Sequence, residues 1–310
     1  MKTIRQEVLG GPEVLELVEV DAPEPRPTEV LVRTAAAGVN PVDWKTRANG
    51  AFLGQPPFTV GWDVAGTVEA VGRGVTRFEP GDRVFGMPRF PAEAACYAEL
   101  VTSPSRQLAR TPATLSDVEA AALPLAGLTA WQALVETAGV GPGTRVVILG
   151  AAGGVGHLAV QIAKARGAWV AGTASAGKHP FLAELGADEA IDYRSEAVEE
   201  RVRGADVLLD LVGSPDTGEA LAALRDDGLA LIIPSAAALD ALRERAAGRV
   251  RVVNLLVEPD RAGLEELAAL VEAGRLRPHI AETFPLADAG SAHELGEQGR
   301  TQGKLVLRIA

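Results

Sequence analysis

Residues Thr144 to Gly167 read TRVVILGAAGGVGHLAVQIAKARG, and this stretch decides the fold. Arg145 to Leu149 form a short run of β-branched and apolar residues bounded by Gly, the pattern of a buried parallel strand. Gly150 to Gly156 are a glycine-rich turn, and from Gly156 to Ala165 apolar residues recur at helical spacing. Strand, glycine turn and helix in that order let backbone N–H groups and a helix N-terminus face a pyrophosphate, with small residues allowing the chain to approach it closely. Gly153 and Gly156 carry the critical spacing. Ala151 stands where the dinucleotide fingerprint has its first glycine, so the strict pattern is broken and the flanking elements carry the reading.

Working outward, WVAGTA, FLAELG, EAIDY, DVLLDLVG, EALAALRDD and GLALIIPS alternate strand and helix character, which predicts a doubly wound parallel sheet of Rossmann type. Upstream, LSDVEAAALPLAGLTAWQALVETAG is helical in period and opens on Ser116 with Glu119 three residues later, a capping box. The chain before it differs: VLELVEV, EVLVRTAAAGV, DVAGTVEAVG and GDRVFGM are apolar runs broken by Gly and Pro, the texture of a β-rich domain. ETFPL and KLVLRIA bring that texture back near the end, so the last strand is expected to pair into the N-terminal domain. The expected division is 1–113 plus 278–310 against 114–277, the α/β class, with a cleft where the two meet.

The chain has 310 residues, 47% of them apolar, and a formal charge of −11, which opposes nucleic-acid binding. No apolar run reaches the roughly 20 residues that span a bilayer and MKTIRQEVLGG lacks a signal-peptide core, so a cytoplasmic location without a membrane partner is expected. The single cysteine, Cys96, excludes an internal disulfide and a four-thiolate zinc lobe.

An Asp or Glu about 20 residues beyond the glycine turn would bind the ribose 2′-OH of NAD. None stands there. TASAGK supplies Thr173, Ser175 and Lys178, and IDYR supplies Tyr193, groups suited to a 2′-phosphate, so NADPH is the expected cofactor. Lys178 and Tyr193 also fit a solvated face and a packed aromatic.

Taken together, GVNPVDWKTR (38–47), VGWDVAGTVEAVG (60–72), FEPGDRVFG (78–86), LPLAGLTAWQAL (123–134), GAAGGVG (150–156) with Gln161 and Lys164, and GKLVL (303–307) resemble the quinone oxidoreductase branch of the medium-chain dehydrogenase/reductase superfamily. The resemblance spans nearly the whole chain in the family's order. It implies a GroES-like catalytic domain made of both chain ends, a Rossmann domain, NADPH in the cleft, and a homodimer joined along an edge strand such as RVRVVNLLV (249–257). It also implies that Asn40 and Thr129 lie by the cofactor, that Ala152, Gly153, Gly154 and Val155 hold its phosphates, and that Val212, Ile233, Pro234 and Ser235 flank the nicotinamide. By residue type alone, the reading to prefer is Asn40 before Pro41 as a turn residue and Thr129 as a helix-interior hydroxyl.

Zinc-dependent relatives need a Cys near Asn40 and a Gly-His-Glu run near Gly61. Here Asn40 and Gly61-Trp62-Asp63 stand there, so no metal is assigned. His157, His179, His279 and His293 are scattered singly. Without a metal to polarise an alcohol, a quinone or α,β-unsaturated carbonyl is the expected hydride acceptor. Phe52 occupies the stretch where some relatives carry a tyrosine, which leaves Asp43 and Lys45 as the nearest catalytic candidates; ion pairing on a helix surface accounts for both as well. Trp44, Phe52, Phe58 and Trp62 could wall a pocket for a flat small molecule, and core packing explains them equally. An enoyl or alkenal reductase of a polyketide-like pathway and an NADPH-binding protein without turnover are the alternatives.

Overall fold

The computed structural model describes residues 1–214, 216–234 and 239–309. In chain order the elements are β1 (Lys2–Arg5), β2 (Glu16–Glu19), β3 (Glu29–Val39), α1 (Pro41–Asn49), β4 (Val64–Val71), β5 (Arg83–Gly86), β6 (Leu100–Pro104), β7 (Leu108–Arg110), α2 (Asp117–Ala121), α3 (Pro124–Trp131), β8 (Arg145–Leu149), α4 (Gly156–Ala165), β9 (Trp169–Ala174), α5 (His179–Glu184), β10 (Glu189–Asp192), α6 (Val198–Arg201), β11 (Ala205–Asp210), α7 (Thr217–Ala220), β12 (Leu224–Ile232), α8 (Leu239–Ala246), β13 (Arg251–Asn254), α9 (Arg261–Glu272), β14 (Ile280–Pro285), α10 (Ala289–Glu297) and β15 (Lys304–Arg308). They form two compact units: residues 1–128, 258–274 and 278–310, and residues 129–257 with 275–277.

The second unit holds a six-stranded sheet in the order β10-β9-β8-β11-β12-β13, every pair parallel. Renumbered from β8, this is the 3-2-1-4-5-6 order of a dinucleotide-binding sheet, whose direction of winding reverses at β8 and β11. Its strands are apolar and buried along their length: Val146, Val147 and Ile148 of β8 and Leu208 and Leu209 of β11 are all at 0% exposure. The strand-turn-helix reading of 145–165 matches β8 and α4 residue for residue. One segment differs from its sequence texture. Leu224 to Asp227, read as the end of a helix, open β12 instead, where a shift in register absorbs them.

The first unit is built on a mainly antiparallel sheet, β14-β15-β3-β4-β5-β7, with β6 also on β3. β15 pairs antiparallel with β3 from Leu305↔Val39 to Arg308↔Ala36, so the chain's late segment does return to the early one. Here α1 is bounded by ordinary capping chemistry: Asn40 precedes Pro41, the Asp43 carboxylate accepts the Asn40 N–H at 2.7 Å, and Gly50 closes the helix at φ 73°. The Ser116–Glu119 capping box is present on α2.

The units divide elsewhere than the sequence texture suggests. Residues 114–128 and 258–274 belong with the first unit, where the texture boundaries at 113 and 278 assign both to the other. The reason is packing: α2 lies on β3 and β4, α9 lies on β7, and Leu267 of α9 sits against Gly127. Helical periodicity shows that a segment buries one face, without showing which sheet covers it. Leu267 is at 0% exposure. Truncating it, Leu267→Ala, is expected to cost about 2–5 kcal/mol, read as a lower urea midpoint at unchanged slope.

Candidate active site

In the second unit the glycine turn opens at the C-terminal end of β8. Gly150 donates its N–H to Thr173 Oγ1 at 3.0 Å and Ala151 donates to the Thr173 carbonyl at 2.9 Å, which ties the turn to β9. Gly156 has no room for a side chain, since a Cβ there would lie 2.3 Å from the Gly150 carbonyl oxygen. Among the described residues no hydrogen bond within the chain takes up the backbone N–H groups of Ala152, Gly154 or Val155. Those donors sit at the N-terminus of the ten-residue α4, the arrangement that receives an anion.

The loops after β11 and β12 gather beside the turn. Asp210, fully buried, accepts the N–H groups of Val212 and Gly213 at 2.8 and 2.9 Å and the Thr217 hydroxyl at 2.8 Å, which fixes the course of the β11 loop. Ile233 donates to the Asp210 carbonyl at 3.0 Å, and a Cβ on Gly213 would lie 3.2 Å from Pro234. A Cβ on Gly150 would similarly meet Val212 at 2.9 Å. Gly153, Val212, Ile233 and Pro234 are thus brought together at the reversal of the sheet. Ser235 lies outside the described residues, and Thr129, in α3, is at 2% exposure.

At the end of β9, Thr173 is turned inward to hold Gly150 and is not among the groups facing out, contrary to the sequence expectation. Ser175 and Lys178 are half-buried and Tyr193, after β10, is 56% exposed. Sequence reasoning missed Arg194, whose guanidinium lies over the Tyr193 ring at 5.7 Å. Burial, and then the neighbouring charge of Arg194, lower the Lys178 pKa. A half-buried ammonium with a guanidinium charge near it marks a place where an anion is stabilised. A separate cavity of about 420 Å³, lined by Thr144, Asp206, Arg225 and Arg251 among others, opens at the N-terminal ends of the same strands and involves none of these residues.

In the first unit Asn40 is almost completely enclosed at 1% exposure. Its Nδ2 donates to Asp63 Oδ2 at 2.8 Å, and its Oδ1 accepts from the Lys304 ammonium. Lys304 Nζ also donates to the Val39 carbonyl at 3.0 Å and faces Asp63 Oδ2 at 3.6 Å. Asp63 Oδ1 is taken by the Leu125 N–H at 2.7 Å. Burial pushes the Asp63 carboxyl up and the Lys304 ammonium down, and each is drawn back by the other's charge.

Asp43 and Lys45 separate. Asp43 is fully buried, which overturns helix-surface ion pairing as its role, whereas Lys45 is exposed on the other side of α1. Asp43 Oδ2 accepts from the Asn40 N–H and from the Tyr97 hydroxyl, at 2.7 and 3.0 Å, while its Oδ1 has no partner. Burial raises its pKa to about 7. Tyr97 was also missed by sequence reasoning: Gly61, at φ 101° and with its Cβ position 2.4 Å from the Tyr97 ring, is the residue that lets the ring in.

Behind Tyr97 stands His293 of α10, with Nε2 at 3.1 Å from the hydroxyl and Nδ1 at 3.2 Å from Arg47 Nη1. Arginine only donates, so Nδ1 accepts and the imidazole proton sits on Nε2, pointing to the Tyr97 oxygen. The chain of donors therefore runs Arg47, His293, Tyr97, Asp43. Arg47 is anchored at its other end to Glu297 at 2.7 Å.

The aromatics expected to form one wall divide into two groups. Trp62, at 0% exposure with its indole N–H on the Ala92 carbonyl, meets Phe90 edge to face at 5.5 Å, and Phe90 meets the 43% exposed Phe52 at 5.4 Å. Trp44 instead packs on Gly296 and His293 of α10, and Phe58 lies in the same core.

A parallel sheet of this order carrying this glycine turn, together with a GroES-like unit, defines a medium-chain dehydrogenase/reductase. Residues 26–116 match the family described as alcohol dehydrogenase GroES-like domain, and 185–307 the one described as zinc-binding dehydrogenase. The quinone oxidoreductase of Rattus norvegicus is 32% identical over 328 residues, covering 100% of this chain and 98% of its own. Among solved structures, the quinone oxidoreductase of Coxiella burnetii superposes with a TM-score of 0.94 at 36% identity, covering 100% of this chain and 99% of that one. That of Escherichia coli, complexed with NADPH, superposes at 0.89 with 31% identity and full coverage of both chains. The chain belongs to the zinc-independent quinone oxidoreductase branch of that superfamily and is an oxidoreductase.

Zinc does not fit the first unit's polar cluster. The oxygens of Asn40 and Asp63 already face the Lys304 ammonium, and a divalent cation on the same oxygens would be repelled by it.

His293 and Asp43 give the stability of the protein opposing dependences on pH. Burial and the Arg47 charge lower the His293 pKa from 6.5 to about 3, so the unfolded chain takes up a proton there first and stability falls as pH drops below 6.5. Asp43, raised from 3.8 to about 7, contributes stability that is full below 3.8 and lost as pH rises through 7. His293→Gln leaves only the second slope. Measured by urea unfolding, the variant is expected to improve relative to the native protein by roughly 1–3 kcal/mol between neutral pH and about pH 4.5, whereas a gap independent of pH would contradict the assignment.

Proposed function

We propose that the protein transfers hydride from NADPH to a quinone or another α,β-unsaturated carbonyl without a metal. The observation that carries this is the nearness of the Lys178 and Arg194 charges beyond β9, together with a glycine turn in which the N–H groups of Ala152, Gly154 and Val155 have no hydrogen-bond partner among the described residues. No Asp or Glu stands from Trp169 to Lys178 to take a ribose hydroxyl or repel a 2′-phosphate. The NADPH complex of the Escherichia coli relative supports the same choice.

In this reading Ala152, Gly153, Gly154 and Val155 receive the pyrophosphate, while Ser175, Lys178, Tyr193 and Arg194 hold the 2′-phosphate. Thr129, Val212, Ile233 and Pro234 border the nicotinamide, and Ser235 follows them in the chain. The bound cofactor supplies a hydride. Asn40 offers the Nδ2–H that Asp63 does not use to the acceptor oxygen, Phe52 and Trp62 with Phe90 present flat apolar surface to its ring, and solvent gives the proton. Asp43 holds the Asn40 backbone in place of acting as an acid, and Lys45 and Trp44 take no part.

Absorbance-monitored oxidation of NADPH against panels of quinones and enones, with NADH alongside and EDTA added, tests the reading. Turnover insensitive to EDTA is expected, and Lys178→Ala with Arg194→Ala should raise the Kd for NADPH about ten- to hundredfold while leaving that for NADH unchanged. Equal affinity for both cofactors in the native protein would overturn the NADPH assignment, and absence of turnover across both panels would favour a binding protein.

β13 is the terminal strand of its sheet, and exposed Leu256 follows it. Two copies joined along this strand would cover the unpaired edge. Light scattering at micromolar concentration is expected to give the mass of a dimer; a monomer mass would exclude it.

A further inference from the structure

The Asn40 carboxamide has two N–H donors and two acceptor lone pairs, and the first unit uses one of each on a charged partner. Its oxygen faces a cation and its nitrogen faces an anion, so the amide cannot flip without placing N–H against ammonium and C=O against carboxylate. The backbone N–H of the same residue is held by Asp43. Lys304 and Asp63 are themselves enclosed, at 3% and 0% exposure, and neither has a role in binding a cofactor or acceptor in the reading above. An ammonium on the amide oxygen draws electron density from the nitrogen and strengthens whatever its remaining N–H donates.

We propose that Lys304 and Asp63 are positioning residues for hydride transfer: together they fix the Asn40 carboxamide in one orientation and polarise its remaining Nδ2–H toward the acceptor oxygen. The inference rests on the hydride-transfer reading. In that reaction the hydride brings its electron pair to the acceptor carbon, the acceptor's π electrons move onto its oxygen, and solvent protonates the resulting oxyanion. A donor aimed at the oxygen is worth more as that charge develops than before it, so it acts on kcat more than on binding. Lys304 touches neither cofactor nor acceptor and acts only through Asn40.

The experiment is a double-mutant cycle on the full chain with Lys304→Met, Asp63→Asn and Asn40→Ala, measuring kcat, KM for the acceptor, the Kd for NADPH by fluorescence, and thermal unfolding. Lys304→Met is expected to lower kcat ten- to hundredfold with the NADPH Kd within twofold of the native value, and to change kcat by less than threefold when Asn40 is already alanine. A folded Lys304→Met or Asp63→Asn protein with native kcat, or losses that multiply with that of Asn40→Ala, would overturn the proposal. If Lys304→Met does not fold, Asp63→Asn carries the same comparison. Should the native protein turn over no acceptor, the hydride-transfer reading fails by itself, and the clamp is then read from the side-chain NH2 resonances of 15N-labelled protein. The pair that disappears in Asn40→Ala must be displaced in Lys304→Met or Asp63→Asn, and an undisplaced pair overturns the clamp.

Discussion

The first unit depends on how it keeps a charge out of water. Lys304 brings an ammonium to 3% exposure, and the Val39 carbonyl, the Asn40 carboxamide and the Asp63 carboxylate receive it. An ion buried without such partners costs several kcal/mol, so the three groups and the lysine must be placed together or not at all. That requirement ties β15 to β3, to the start of α1 and to the residue that leads into β4. The second polar chain, from Glu297 through Arg47, His293 and Tyr97 to Asp43, ends on the same residue by way of the Asn40 backbone. Asn40 is therefore the junction of two buried networks, and its conformation is set by groups that lie far from it in sequence.

What the sequence makes legible is what is local. The turn at Gly150–Gly156, the strand before it and the helix after it are written into consecutive residues, and the structure has them at the expected positions. The donors of Ala152, Gly154 and Val155 follow from the same run. The side-chain partners of Asn40 are not local: Asp63 is 23 residues away and Lys304 is 264. One signal was present. A lysine leading the apolar run KLVL (304–307) is a charge at the head of a buried stretch, and such a charge implies a buried counter-charge. His293 carries a similar trace, a lone imidazole among Ala289, Gly290, Ala292 and Gly296, where small neighbours leave room for other elements to close over it. Tyr97 and Arg194 carry none, because their roles come from what the chain brings beside them.

Texture also misplaces boundaries for a physical reason. Alternation and helical period report the shape of the surface that a segment buries, and α2 and α9 bury theirs on strands of the β-rich unit. The aromatics separate in the same manner: Trp44 and Trp62 are 18 positions apart in sequence yet serve different cores, one against α10 and one against Phe90.

The pairing of β15 with β3 gives the two units different histories. Synthesised from its N-terminus, the chain has all of 129–257 in hand, and can close the parallel sheet, while the early β-rich segment still lacks β14, β15 and the lysine that neutralises Asp63. The unit that begins first is thus the last that can finish, and until it does, Asn40, Asp43 and Asp63 remain two carboxyls and an amide with no cation between them. Order of synthesis and order of completion run in opposite directions along this polypeptide.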